Sequence, residues 1–182
     1  IFSGSGSPAN STLIDTVEIA TTGNATDFGD LTFARGDCGD GSNSIKALTL
    51  GGYADNASNV MDSHIISTAG NSVDFGDLEG ADTVRNMGSP AHGGISEDRI
   101  QRPSVTYMPG SGRAFFAGGD PVVVNIDLVH IPTKGNASDF GDLATGRLET
   151  GALSSFTRGI WGGGNDGPAV VNTIESLELD SQ

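Results

Sequence analysis

Apolar residues along this chain come in short runs and never in a long helical stripe. Ala47-Leu48-Thr49-Leu50 and Ala114-Phe115-Phe116-Ala117 are compact apolar runs, each closed by a glycine pair. Ile14-Asp15-Thr16-Val17-Glu18-Ile19 and Ile126-Asp127-Leu128-Val129-His130-Ile131 mix apolar and polar positions over six residues, as a half-buried strand does. Clusters of Gly, Asn, Asp, Ser and Thr separate these runs. The pattern predicts many short strands joined by turns, hence an all-β fold.

The runs recur. Asp27-Phe28-Gly29-Asp30-Leu31 returns as Asp74-Phe75-Gly76-Asp77-Leu78 and as Asp139-Phe140-Gly141-Asp142-Leu143. A Gly-Asn pair precedes each copy: Gly23-Asn24, Gly70-Asn71 and Gly135-Asn136. Upstream of each lies a mixed strand ending in Ile19, Ile66 or Ile131, always nine residues before the Phe; a fourth such strand ends in Leu179. Further upstream again stands the apolar run with its glycines, represented by Ile1–Gly4, Ala47–Gly52, Ala114–Gly119 and Gly159–Gly164. The strand anchors are spaced 47, 65 and 48 residues apart, so the middle unit carries an insertion near residues 83–112.

The chain therefore reads as one repeat array over residues 1–182. Its units are approximately 1–46, 47–112, 113–158 and a partial 159–182. A period near 50 with about four short strands per unit suits a propeller blade. One such unit cannot bury both of its faces, so neighbours must stack. Phe28, Phe75 and Phe140 are expected to plug between neighbouring units. Gly29, Gly76 and Gly141 are expected to shape a tight turn that Asp30, Asp77 and Asp142 hold through backbone amides. Because the terminal units are short of strands, more chain or another copy is expected to complete their sheets.

The order of basic residue, apolar strand, glycine pair, Asn-rich loop, mixed strand and aromatic anchor resembles the kelch repeat, with Phe where the kelch Trp stands. The strings at residues 23–31, 135–143 and 158–164 look like repeats in virion proteins of marine phages, especially those infecting cyanobacteria. The resemblance implies a kelch-like β-propeller, whole or partial, and a non-enzymatic structural or appendage protein of the virion. Its implied partners are other virion proteins or copies of itself.

Composition narrows the alternatives. A net charge of −14 with only nine basic residues opposes phosphate backbones, so nucleic acid and anionic membranes are not expected partners. Cys38 is the single cysteine, which rules out an internal disulfide framework and a cysteine-rich zinc site. Arg85, His92, Arg99, Arg102 and Tyr107 gather in the insertion and form a candidate binding face for a host-surface glycan or protein.

The repeated aspartates could ligate Ca²⁺, but repetition favours architecture, and no metal or cofactor is assigned. His64, His92 and His130, with Tyr53, Tyr107 and Cys38, lack close ligand spacing for a copper centre. A propeller-based lyase or oxidase is the remaining enzymatic alternative. Arg35-Gly36-Asp37 spells an adhesion tripeptide, yet Arg35 occupies the repeat position of Arg147, which favours a structural role. The stretch Asp37–Asn43 reads as a solvated loop. Phe115, Phe116, Phe156 and Trp161 read as core residues more than as a sugar-stacking platform.

Overall fold

The computed structural model describes residues 1–6, 8–43, 45–55, 58–79, 112–155 and 158–178. Arg85, His92, Arg99, Arg102, Tyr107 and Phe156 lie outside the described residues, as does all of the 83–112 insertion except Gly112.

The described residues are all-β and contain no helix. Among the described residues thirteen strands form four small antiparallel sheets, each a run of strands consecutive in the chain. Sheet I holds β1 (Phe2–Ser5), β2 (Ser11–Thr16) and β3 (Thr26–Arg35). Sheet II holds β4 (Gly39–Ser42), β5 (Lys46–Leu50), β6 (Val60–Ile65) and β7 (Val73–Asp77). Sheet III holds β8 (Arg113–Ala117), β9 (Asn125–His130) and β10 (Ser138–Asp142). Sheet IV holds β11 (Gly151–Ser154), β12 (Arg158–Gly162) and β13 (Ile174–Glu178).

The stretch expected to be a loop at Asp37–Asn43 contains β4. Gly-Asp-Gly-Ser has little intrinsic strand preference; pairing with β5, from Gly39↔Leu50 to Ser42↔Ala47, makes it a strand. Sheet II therefore begins one strand before its apolar run.

Chain alternation explains where the core sits. Along β8, Ala114 and Phe116 enter a cluster with Leu48, Leu50, Met61, Phe75 and Leu78 of the preceding sheet. Phe115 and Ala117 point to the other face, into a cluster with Ile126, Leu128, Leu143 and Trp161. Successive side chains of a strand alternate between faces, so one strand feeds two cores. The apolar core is thus divided among the spaces between sheets. Phe115, Phe116 and Trp161 are all buried there, as expected for core aromatics.

The glycines after each apolar run allow a close return of the chain. Gly118 has φ +68°, and a Cβ on it would lie 2.1 Å from the carbonyl oxygen of Arg147. A side chain at that position has neither the conformation nor the room.

Candidate functional site

The Asp-Phe-Gly-Asp repeat forms the joint between sheets, and it does so with a bulge where a turn was expected. In sheet I, Ile14 pairs with Gly29 and Asp15 with Asp27, leaving Phe28 as an extra residue on β3. In sheet II, Met61 pairs with Gly76 and Asp62 with Asp74, leaving Phe75. In sheet III, Ile126 pairs with Gly141 and Asp127 with Asp139, leaving Phe140. A one-residue bulge kinks the strand and re-aims the extra side chain. Gly29, Gly76 and Gly141 adopt φ of +154°, +153° and +154°, a region essentially reserved for glycine. Their freedom serves the bulge, and the Gly-Asp pair stays inside the strand.

At the first two bulges the strand receives the Gly-Asn segment of the next sheet. The Gly70 N–H donates to the Phe28 carbonyl at 2.7 Å, and the Ser72 N–H to the Asp30 carbonyl at 2.8 Å. The Asp30 N–H donates to Asn71 Oδ1 at 3.1 Å. The next joint repeats the set. Gly135 N–H donates to the Phe75 carbonyl at 3.2 Å and Ala137 N–H to the Asp77 carbonyl at 2.8 Å. Asp77 N–H donates to Asn136 Oδ1 at 3.1 Å. The approach is close because the bulge residue is glycine: a Cβ on Gly29 would meet the Gly70 oxygen at 2.2 Å, and one on Gly76 the Gly135 oxygen at 2.5 Å.

The third copy has the same bulge, and among the described residues nothing docks on it. A Cβ on Gly141 would meet nothing within 4 Å. Phe28 and Phe75 are buried while Phe140 is half-buried, and Asp142 is exposed where Asp30 and Asp77 are half-covered.

A charged layer lies beside each joint. Asp62 Oδ2 accepts the Thr32 N–H at 3.0 Å, and Asp62 Oδ1 accepts from the Thr32 hydroxyl at 2.8 Å. Arg35, fully buried, approaches Asp62 at 3.0 Å and donates to the Thr49 carbonyl at 3.2 Å. Between sheets III and IV, Glu175 accepts the Ala144 N–H at 3.0 Å, and Arg147 approaches it at 3.0 Å. Arg147 also donates to the Thr173 carbonyl at 2.9 Å.

Asp127 holds the matching place between sheets II and III and accepts the Glu79 backbone N–H. Its Oδ1 has no hydrogen-bond partner among the described residues. Burial first, then the nearby Glu79 and Asp139 charges, push its carboxyl up to about 6. Arg35 and Arg147 follow Leu31 and Leu143 by four residues; the residue four past Leu78 is Asp82, outside the described residues.

The remaining candidates are dispersed. His64 and His130 are offset by one pairing position, since Ala47 faces His64 whereas Arg113 faces His130. That offset puts them on opposite faces: His64 is buried and His130 exposed. His64 stands edge-on to Phe28 with ring centroids 5.7 Å apart. Neither of its ring nitrogens has a hydrogen-bond partner among the described residues, and burial lowers its pKa. The Cys38 thiol is pushed up to about 11 by burial, which leaves it a thiol at neutral pH. Among the described residues no group of three or more His, Cys, Asp or Glu is placed to hold a metal ion.

The sequence pattern pointed to the Phe anchors and to the equivalence of Arg35 with Arg147. It did not point to the docking of the Gly-Asn pairs or to the acids Asp62, Asp127 and Glu175. The signal for both was present: the Gly-Asn pair holds one fixed place in the first three units, and an acid holds one fixed place in all four. Comparison with protein-family models and with curated proteins finds no match to this chain.

Proposed function

We propose that this chain is a non-enzymatic structural module of a phage virion or its appendage, and that its four sheets are blades of a kelch-like β-propeller. One observation carries the structural part of the reading. The residues that recur in the first three units, Phe, Gly and Asp of the bulge and the Gly-Asn pair, are the ones that join sheet I to sheet II and sheet II to sheet III. Repetition spent on nearest-neighbour joints is the economy of a scaffold. The virion assignment rests on the resemblance of residues 23–31, 135–143 and 158–164 to phage repeats. Mass spectrometry of purified particles tests it: peptides of this chain should co-purify with intact virions, and their absence from them refutes the assignment.

The basic cluster Arg85, Arg99 and Arg102, with His92 and Tyr107, supports a second reading in an otherwise acidic chain. There the insertion binds a host-surface glycan or protein while the sheets display it. Deleting residues 86–108 should then abolish adsorption to host cells with the sheets intact; unchanged adsorption refutes this reading.

A further inference from the structure

The chain has only two lysines, Lys46 and Lys134, and the fold brings both to one pocket of about 210 Å³ between sheets II and III. Lys46 opens β5. Lys134 stands just before the Gly135-Asn136 pair that docks on β7. Lys46 pairs with Ile65 and Ser63 with Val73, so these four residues share one face of sheet II. Phe75 lies on that side too, in the cluster with Ala114 and Phe116 of sheet III. The Lys46 ammonium stands 5.8 Å from the Phe75 ring centre and donates to the Pro132 carbonyl at 3.4 Å. Ile65 and Val73 are exposed, so the pocket has an open apolar floor.

The charge in this pocket is unbalanced. A cation stands at the same strand start in three sheets: Lys46, Arg113 and Arg158. Arg158 faces Glu178 across its strand pair and bonds to it. Lys46 faces Ile65 instead. Among the described residues neither lysine forms an ion pair. Asp74 also lines the pocket, but it pairs in register with Asp62 and so belongs to the opposite face of sheet II. Two ammonium groups in one pocket repel each other, and an anion between them turns the repulsion into attraction.

We propose that this pocket binds a small organic anion of monosaccharide size, its carboxylate or phosphate held between Lys46 and Lys134 and its carbon body on Val73 and Ile65. Lysine presents a point charge without a fork, so the pocket accepts either head group. Its volume is below the ~300–1,000 Å³ of sites for drug-sized ligands, which limits the occupant to a small molecule. One lysine belongs to sheet II and the other to the segment of sheet III that docks on it. The bound anion therefore ties this joint and stabilises it by mass action.

The inference rests on neither reading of the function. The test titrates the isotope-labelled 182-residue chain at constant ionic strength. Glucuronate and a hexose phosphate supply the two head groups. Glucose and inorganic phosphate are the controls without charge and without a carbon body. NMR should show saturable shifts at Lys46, Val73 and Lys134 with at least one organic anion. Amide exchange should slow at Gly135 and Ala137 but not at Gly70 and Ser72. Lys46→Gln and Lys134→Gln should each weaken binding by about fivefold. Val73→Ser should weaken the organic anion and leave inorganic phosphate unchanged. The proposal is overturned by no shifts with either organic anion at millimolar concentration, by unchanged affinity in both lysine variants, or by glucose or inorganic phosphate binding as tightly as the organic anions.

Discussion

Asp127 and His64 are buried beside neighbouring joints, and protonation acts on them in opposite directions. The Asp127 carboxyl is raised to about 6 from an ordinary 3.8. Its folded form therefore holds a proton more tightly than its unfolded form. Its contribution to stability is fully present below about pH 3.8 and is lost as pH rises through about 6. At pH 7 the buried anion is a cost, because among the described residues Asp127 has no arginine like those at Asp62 and Glu175. Asp127→Asn keeps an oxygen for the Glu79 N–H and removes the charge. Chemical denaturation should find it more stable than the parent by roughly 1–3 kcal/mol at pH 7 and near-equal at pH 4. Equal stabilisation at both pH values would mean that the charge is not the cause. His64 has its pKa lowered, so its stability is present above the unfolded value near 6.5 and is lost as pH falls through the folded one. Val129 holds the same strand position in sheet III. His64→Val should flatten the stability profile between pH 7 and pH 5, as followed by denaturation midpoints. A profile as steep as the parent's would show that His64 does not titrate in the joint.

At the scale of elements, the bulged strands provide an internal comparison. Gly29, Gly76 and Gly141 share one backbone conformation, but among the described residues only the first two face a neighbouring carbonyl. Gly76→Ala pays for both the backbone conformation and the collision with Gly135. Gly141→Ala pays for the conformation alone, roughly 1–3 kcal/mol. Urea denaturation should place Gly76→Ala well below Gly141→Ala in stability. Indistinguishable midpoints would show that the close approach at the joint contributes nothing. The strands themselves were largely legible from the apolar runs, because short half-buried segments bounded by turn residues have few other ways to fold. The constant nine-residue step from Ile19, Ile66 and Ile131 to a Phe located the anchors before any pairing was known. Bulge and turn were not separable in sequence, since glycine at positive φ serves either, and only the β2, β6 and β9 registers decide. β4 was illegible for a related reason: its residues acquire strand form from β5. His64 and His130 look equivalent until a one-residue register difference sends them to opposite faces.

For the whole molecule, the account is that sheets I, II and III are held in series by one repeated joint, with apolar clusters filling the spaces between them. The number of sheets followed from the four apolar runs with their glycines. The linkage did not, because Gly-Asn and Asp-Phe-Gly-Asp adjoin in sequence, and the bond that matters joins the pair of one unit to the strand of the unit before. The most direct test is amide hydrogen exchange under native conditions, read residue by residue. Gly70, Ser72, Gly135 and Ala137 donate to the preceding sheet, whereas Gly23 and Ala25 belong to the same motif and donate to nothing among the described residues. After correction for local sequence, the account predicts strong protection at the first four and exchange near the unfolded rate at the last two. Equal exchange at all six positions would contradict it.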